Sequence, residues 1–203
     1  MLEFWNMEQK MGQSSSVPET GAASFVRISS PTPDQWEEYR DLRMKSLDQE
    51  PIAFLDVEEG RTRWQARSEE EWRKMLAGPR EDGSETLVVM AHDGDRAIGM
   101  VQAIIPPVDN PVRVANIQHM YMDNENYRGR GFGRLLLRDL LQRLRARGDI
   151  NSAELSVVVT QKAAQNLYRS MGFEAFKVTT DSALRGNETY DEIEMRLDFA
   201  KHH

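Results

Sequence analysis

The stretch NYRGRGFGRLLLRDLLQRL, residues 126–144, sets three glycines and three arginines directly ahead of a leucine-rich run. Leu136, Leu137, Leu140, Leu141 and Leu144 recur at helical spacing on one face, while Arg134, Arg138, Gln142, Arg143 and Arg145 occupy the others. This predicts an amphipathic helix packed on a sheet, running through Arg147 with Gly148 as its left-handed cap. A helix leaves its first N–H groups without intrahelical acceptors, and its macrodipole places about half a positive charge there. Glycines at 129, 131 and 133 keep Cβ atoms away from those groups, and Arg128, Arg130 and Arg134 add forked donors. The stretch therefore reads as an anion cradle at a helix N-terminus.

Outward from it, the pattern alternates strands and helices. Upstream, residues 25–29 alternate as a first strand, and SPTPDQW leads into a helix through Leu47 that Pro51 ends. One further helix is expected over 62–77, closed by Gly78-Pro79. Residues 86–91 and 97–105 read as a hairpin turned at His92-Asp93-Gly94-Asp95, and 112–122 as the strand entering the cradle. Downstream, the β-branched run 153–159 suits a buried strand, Thr160 is placed to cap the helix of QKAAQNLYRSM, and Gly172 ends it. Two last strands cover FEAFKV and YDEIEMRLDF. The order is that of an α/β domain with a largely antiparallel sheet and one strand-helix-strand crossover, at the cradle. The domain is expected over 24–200, after a Ser/Gly/Pro-rich flexible tail at 1–23 and before a short end at 201–203.

Composition narrows the chemistry. The 203 residues are 39% hydrophobic and 29% charged, enough for a sizeable core, and no apolar run approaches the ~20 residues of a membrane span. Cysteine is absent, which excludes disulfides, thiolate metal sites and cysteine nucleophiles. The net charge of -7 disfavours nucleic acid and suits a cationic or amine-bearing partner, although acidity also serves solubility alone. No export signal opens the chain, so a cytoplasmic location is expected, with neither membrane nor metal involved.

Spacing then selects the anion. A dinucleotide G-x-G-x-x-G would need its third glycine at 134, which is arginine. A Walker A loop would need Lys and then Ser or Thr after Gly133, where Arg134-Leu135 stand. A single RGRG copy tied to an amphipathic helix in an acidic chain is a poor RNA tract. The pattern Arg128-Gly129-Arg130-Gly131-Phe132-Gly133 resembles the pyrophosphate loop of the GCN5-related N-acetyltransferases, Arg or Gln, two residues, Gly, one residue, Gly or Ala. Gln161, Ala164, Leu167, Tyr168, Gly172 and Phe173 resemble that family's Asn-x-x-Ala-x-x-Leu-Tyr helix and Gly-Phe ending, with Gln161 replacing its asparagine. LRMKSLDQEPIAF and the closing strand with Glu192, Met195 and Leu197 extend the resemblance over about residues 24–199.

The resemblance implies acetyl-CoA as co-substrate and direct attack by an amine, on a small molecule or a peptide, without a covalent enzyme intermediate. It places the cofactor on Met120, Tyr121, Met122, Arg128, Gly129, Arg130, Gly131, Phe132, Gly133, Arg134, Gln161 and Tyr168. Tyr168 takes the role of acid to the departing thiolate. The family's glutamate base falls on Asn116, leaving Gln118 and His119 as polar alternatives, although strand alternation sets His119 apart from Asn116 and Gln118. Phe54, Trp64 and Trp72 are expected as acceptor walls, with Glu58 and Glu59 as amine partners. A homodimer is compatible with the family. A second reading keeps the cofactor site without the chemistry, as an acyl-CoA sensor or interaction module.

Overall fold

The computed structural model describes residues 26–54, 57–185 and 188–201. The expected tail, Phe25, the side chains of Glu58 and Glu59, and the terminal His202 and His203 lie outside the described residues. In chain order the strands are β1 (Val26–Ser29), β2 (Glu85–Asp93), β3 (Arg96–Ile105), β4 (Val114–Met122), β5 (Ser152–Val158), β6 (Glu174–Arg185) and β7 (Glu188–Asp198). The helices are α1 (Trp36–Gln49), α2 (Val57–Gln65), α3 (Glu69–Leu76), α4 (Asn124–Tyr127), α5 (Phe132–Ala146) and α6 (Lys162–Ser170). The strands form one sheet in the order β1-β2-β3-β4-β5-β7-β6. Only β4 and β5 run parallel, joined by α5, as expected for a single crossover. Among the described residues no helix is long and apolar enough to cross a membrane.

Two apolar layers enclose the sheet. On one face α5 buries all five of its periodic leucines against β2, β3 and β4, and the apolar side of α6 joins this layer. Each fully buried leucine contributes roughly 2 kcal/mol through removal of apolar surface from water. On the other face Tyr39, Leu42 and Leu47 of α1 and Trp72, Met75 and Leu76 of α3 pack against Val88, Met90, Met100 and Tyr121.

Two local expectations are corrected. The helix anticipated over 62–77 is two helices, because Ser68 starts a new one. Its hydroxyl accepts from the Glu71 N–H at 3.3 Å while Glu71 Oε2 accepts from the Ser68 N–H at 2.7 Å, a reciprocal capping box. Thr160 does not cap α6. Its N-cap is Gln161, without a side-chain cap bond, and the buried amide of Gln165 donates instead to the carbonyls of Val158 and Val159 at 3.2 and 2.7 Å.

Two departures from regular pairing create the functional region. Parallel pairing of β4 with β5 covers only Val114, Ala115 and Asn116 opposite Ser152, Ala153 and Glu154. Beyond Asn116 the strands separate, while β4 stays paired to β3 and β5 to β7, so each leaves one backbone edge toward the gap. Within β4, Gln118 opposes Gln102 and Tyr121 opposes Met100, so His119 and Met120 together face the single residue Val101. This is a β-bulge, and His119 adopts φ 54°, a left-handed conformation uncommon outside glycine.

Candidate active site

The gap between β4 and β5 widens into a cleft of about 880 Å³. One end is the glycine cradle. Gly129 and Gly131 have φ of 71° and 87°, and a Cβ on either would meet nothing within 4 Å, so these glycines serve the backbone conformation rather than close packing. Gly133 differs: a Cβ there would lie 3.3 Å from Met120 Cε and 3.6 Å from Leu167 Cδ2, so its smallness brings α5 against β4 and α6. Leu135 N–H is the first in α5 to find a helical acceptor, Gly131 O, and no acidic side chain stands in the first turn. The N–H groups before it form the positive end of a 15-residue helix facing the cleft.

Arg128, in the turn after α4, is held against the end of β4. Its Nε donates to Met122 O at 3.0 Å, Nη1 pairs with Glu50 at the end of α1, and the guanidinium carbon lies 5.8 Å from the Tyr121 ring centroid. Arg134 also lines the cleft and reaches Ser170 O at 3.3 Å. Arg130 and Phe132 stand outside it: Arg130 stacks over the Phe132 ring, which packs on Tyr127. The exit of β4 is fixed by Asp123, 1% exposed, whose carboxylate takes ion pairs from Lys45 at 2.7 Å and Arg96 at 2.6 Å. Burial pushes this carboxyl up, but the two cations outweigh it and hold it below the usual aspartate value.

The middle of the cleft is formed by Met120, Tyr121 and Met122 on β4, Leu155 to Val158 on β5, and Gln161 and Tyr168 of the α6 segment. Tyr168 is 7% exposed and packs edge-on to Phe173 with centroids 6.0 Å apart. Its hydroxyl makes no hydrogen bond within the described protein, and burial pushes its pKa up to about 12, so it stays a proton donor at any physiological pH.

The other end is aromatic and cationic. Phe54, Trp64, His119 and Arg43 line it, whereas Trp72 stands behind as a fully buried core residue. The His119 ring meets Trp64 and Phe54 edge-on, with centroids 5.2 and 6.4 Å apart. Because the bulge removes strict alternation, His119 is not set apart from Asn116 and Gln118 as expected. A chain of polar contacts joins them: Gln118 Nε2 donates to Asn116 Oδ1, Gln102 Nε2 to Gln118 Oε1, and the Tyr39 hydroxyl to Gln102 Oε1 at 2.8 Å, with His119 Nδ1 3.4 Å from the same hydroxyl. The Tyr39 proton being engaged by Gln102, this network assigns the His119 proton to Nδ1 and leaves Nε2 with its lone pair. Burial, then the positive charges of Arg43, Arg67 and Arg80, hold the His119 pKa well below the ordinary imidazole value, so the ring is neutral at pH 7.

A helix N-terminus with left-handed glycines, an open gap between two strands of a parallel pair, and an unbonded tyrosine hydroxyl beside that gap are now in one cleft. The sequence matches the Acetyltransferase (GNAT) family over residues 31–173. The chain belongs to this family. Its fold is similar to that of a GNAT-family acetyltransferase from Streptococcus pneumoniae, with a TM-score of 0.72 at 20% identity, covering 86% of this chain and 100% of that one. It is also similar to the putative acetyltransferase YncA from Salmonella typhimurium with its cofactor acetyl-CoA, TM-score 0.69 at 14% identity, covering 89% and 97%. The Arabidopsis thaliana NAA60 structure in complex with acetyl-CoA gives a TM-score of 0.67 at 16% identity over 87% and 99%. No curated protein matches the chain in sequence. For a GNAT acetyltransferase, the residues that sequence reasoning left unassigned are Tyr39, Gln102, Asp123 and Gln165. Each is a polar side chain buried in the protein and tied to the cleft's framework through hydrogen bonds. For Tyr39, Gln102 and Gln165 the local signal was a polar residue within an otherwise apolar helix or strand pattern, and Asp123, just past the end of β4, had none.

Proposed function

We propose that this GNAT acetyltransferase moves the acetyl group of acetyl-CoA to a primary amine in a ternary complex. The observation that carries the reading is the cleft itself, in which the free N–H groups opening α5, the parted edges of β4 and β5, and the Tyr168 hydroxyl lie along one continuous path. The residues present fit coenzyme A: the α5 N-terminus with Arg128 and Arg134 suits a pyrophosphate, and the parted strand edges suit an amide-bearing arm laid between them. Acetyl-CoA, when bound, supplies an activated thioester carbonyl.

The protein's own groups then do three things. Backbone N–H groups beside the bulge, at Met120 to Met122, donate to the carbonyl oxygen as it gains negative charge, without reorganising. The N–C bond forms as the C–S bond breaks, and the electron pair leaves on sulfur. Tyr168 donates a hydrogen bond to that sulfur. With a phenol pKa near 12, against about 8.5 for a thiol, Tyr168 stabilises the thiolate mainly by hydrogen bonding, and the final proton comes from solvent. His119 Nε2, neutral throughout the physiological range, accepts the proton that the attacking nitrogen sheds once its new bond has formed. Its depressed pKa suits it to a strongly acidic adduct nitrogen and to rapid release of the proton afterwards.

The test is thiol release from acetyl-CoA in the presence of a panel of amines. Because the chain has no cysteine, every thiol that appears comes from CoA. Amine-dependent release supports the transferase. Tight acetyl-CoA binding without amine-dependent release would replace it by a sensor of the same fold.

A further inference from the structure

Arg43 on α1 is 3% exposed and lines the acceptor end of the cleft. A buried charge is normally paired and hydrogen-bonded, because its hydration is lost on folding. Arg113, the other deeply buried arginine among the described residues, obeys this: it pairs with Asp149 and donates twice to Pro106 O, at 3.2 and 2.8 Å. Arg43 does not. Its Nη1 reaches the Ser46 hydroxyl at 3.2 Å, its Nε has no partner, and no described carboxylate pairs with it. Its guanidinium is instead held between aromatic rings, 4.6 Å from the Phe54 centroid and 4.9 Å from that of Trp64. Arg67, whose Nε is also buried and unpartnered, lies 4.5 Å from the same Trp64 ring. The described carboxylates that line the cleft stand elsewhere: Glu50 pairs with Arg128 at the cradle, and Glu192 lies opposite Val158 on β7.

We propose that the acetyl acceptor is a small amino acid-like molecule, a primary amine that carries a carboxylate, and that Arg43 receives the carboxylate between Phe54 and Trp64. This rests on the acetyltransferase reading above and names its substrate class. The carboxylate supplies the counter-charge that no described residue gives Arg43, with the forked donors of a guanidinium matched to two oxygens. The same positive field acts on the amine. The burial and the positive charges that keep His119 neutral also disfavour an ammonium in the cleft, and Arg67 and Arg80 maintain that field once the carboxylate pairs with Arg43, so the acceptor is held as the free amine that attack requires. A polyamine or aminoglycoside would place several cations in this field and is excluded from the acceptor class.

The experiment compares the full-length protein's thiol release from acetyl-CoA with free α-amino acids, the same amino acids as α-carboxamides, spermidine, and short peptides with an acidic first residue. The expected result is a kcat/KM for the best amino acid at least tenfold above that for its carboxamide, with Arg43→Lys and Arg43→Gln bringing the ratio toward one mainly through KM. Carboxamides or spermidine used as well as the carboxylates would overturn the proposal while leaving the acetyltransferase intact, and so would acidic peptides preferred over every free amino acid. If no amine releases CoA, the transferase reading fails and binding decides the acceptor class. N-acetylamino acids should then quench tryptophan fluorescence in the presence of CoA at least tenfold more tightly than N-acetylamino acid carboxamides, and equal or absent binding overturns the proposal. The substrate-side comparison needs no variant, so it stands even if Arg43→Gln does not fold.

Discussion

The Tyr39 hydroxyl lies 3.4 Å from Nδ1 of His119, joining α1 to the bulge of β4 across 80 residues of sequence. That hydroxyl also donates to Gln102, which is 2% exposed. Tyr39→Phe removes a donor from a buried acceptor and frees the imidazole to change tautomer. A loss of about 1–3 kcal/mol of stability is expected from the unsatisfied amide oxygen. In urea unfolding this appears as a lowered midpoint with unchanged slope. Turnover should fall as well, and the acidic limb of its pH profile should move; a stability loss without either kinetic change would limit Tyr39 to packing.

Tyr168 separates catalysis from stability in the opposite sense. The residue is buried apart from the part that lines the cleft, and its hydroxyl makes no hydrogen bond with any described residue, so Tyr168→Phe removes none of the described hydrogen bonds. Thermal stability should hold or rise slightly, and acetyl-CoA affinity should be nearly unchanged. Turnover should drop by roughly the 10²-fold that one fixed hydrogen-bond donor to a developing anion supplies. Wild-type turnover in this variant would remove Tyr168 from the mechanism.

At Gly131 the demand is conformational. With φ 87° and nothing within 4 Å of where a Cβ would stand, alanine meets no neighbour yet must adopt a left-handed backbone, at a cost of about 1–2 kcal/mol. Gly131→Ala should raise the acetyl-CoA Kd by about tenfold if that strain is relieved by moving the cradle. Asparagine tolerates this conformation better, so Gly131→Asn should bind more tightly than Gly131→Ala. Titration calorimetry orders the two, and the reverse order would point to a side-chain effect.

Asp123 ties the acid stability of the fold to the cleft. Its folded pKa lies below the unfolded value, so its contribution is complete above about pH 4 and disappears as pH falls through the lower folded pKa. Asp123→Asn should lose about 1.5–3 kcal/mol at pH 7 through its charge-assisted bonds to Lys45 and Arg96. The gap between variant and wild type should then narrow below pH 4. Denaturant melts at pH 7, 5 and 3 measure it, and a gap that stays constant across them would exclude the ionised carboxylate as its source.

Much of this was written locally. The five leucines of α5, the glycines at 129, 131 and 133, and the strand pattern on either side act through periodicity and backbone freedom within a few residues, and they announce the crossover, its anion cradle and the family. Even the separate start of α3 had a local signal, since Ser68-Glu69-Glu70-Glu71 is a capping box in plain sequence. The acceptor end was different. Nothing near residue 119 announces a bulge with a left-handed histidine, because that conformation is imposed by pairing with β3 and by packing under Trp64 and Phe54. Nor could Arg43 be told from an ordinary solvated helix arginine until Phe54 and, from α2, Trp64 came over it with no described carboxylate pairing with it. The chain alone determined an anion cradle at a helix N-terminus; burial of one guanidinium and partial burial of one imidazole by residues distant in sequence decided the electrostatics of the cleft's other end, because desolvation exists only once the tertiary structure has removed the water.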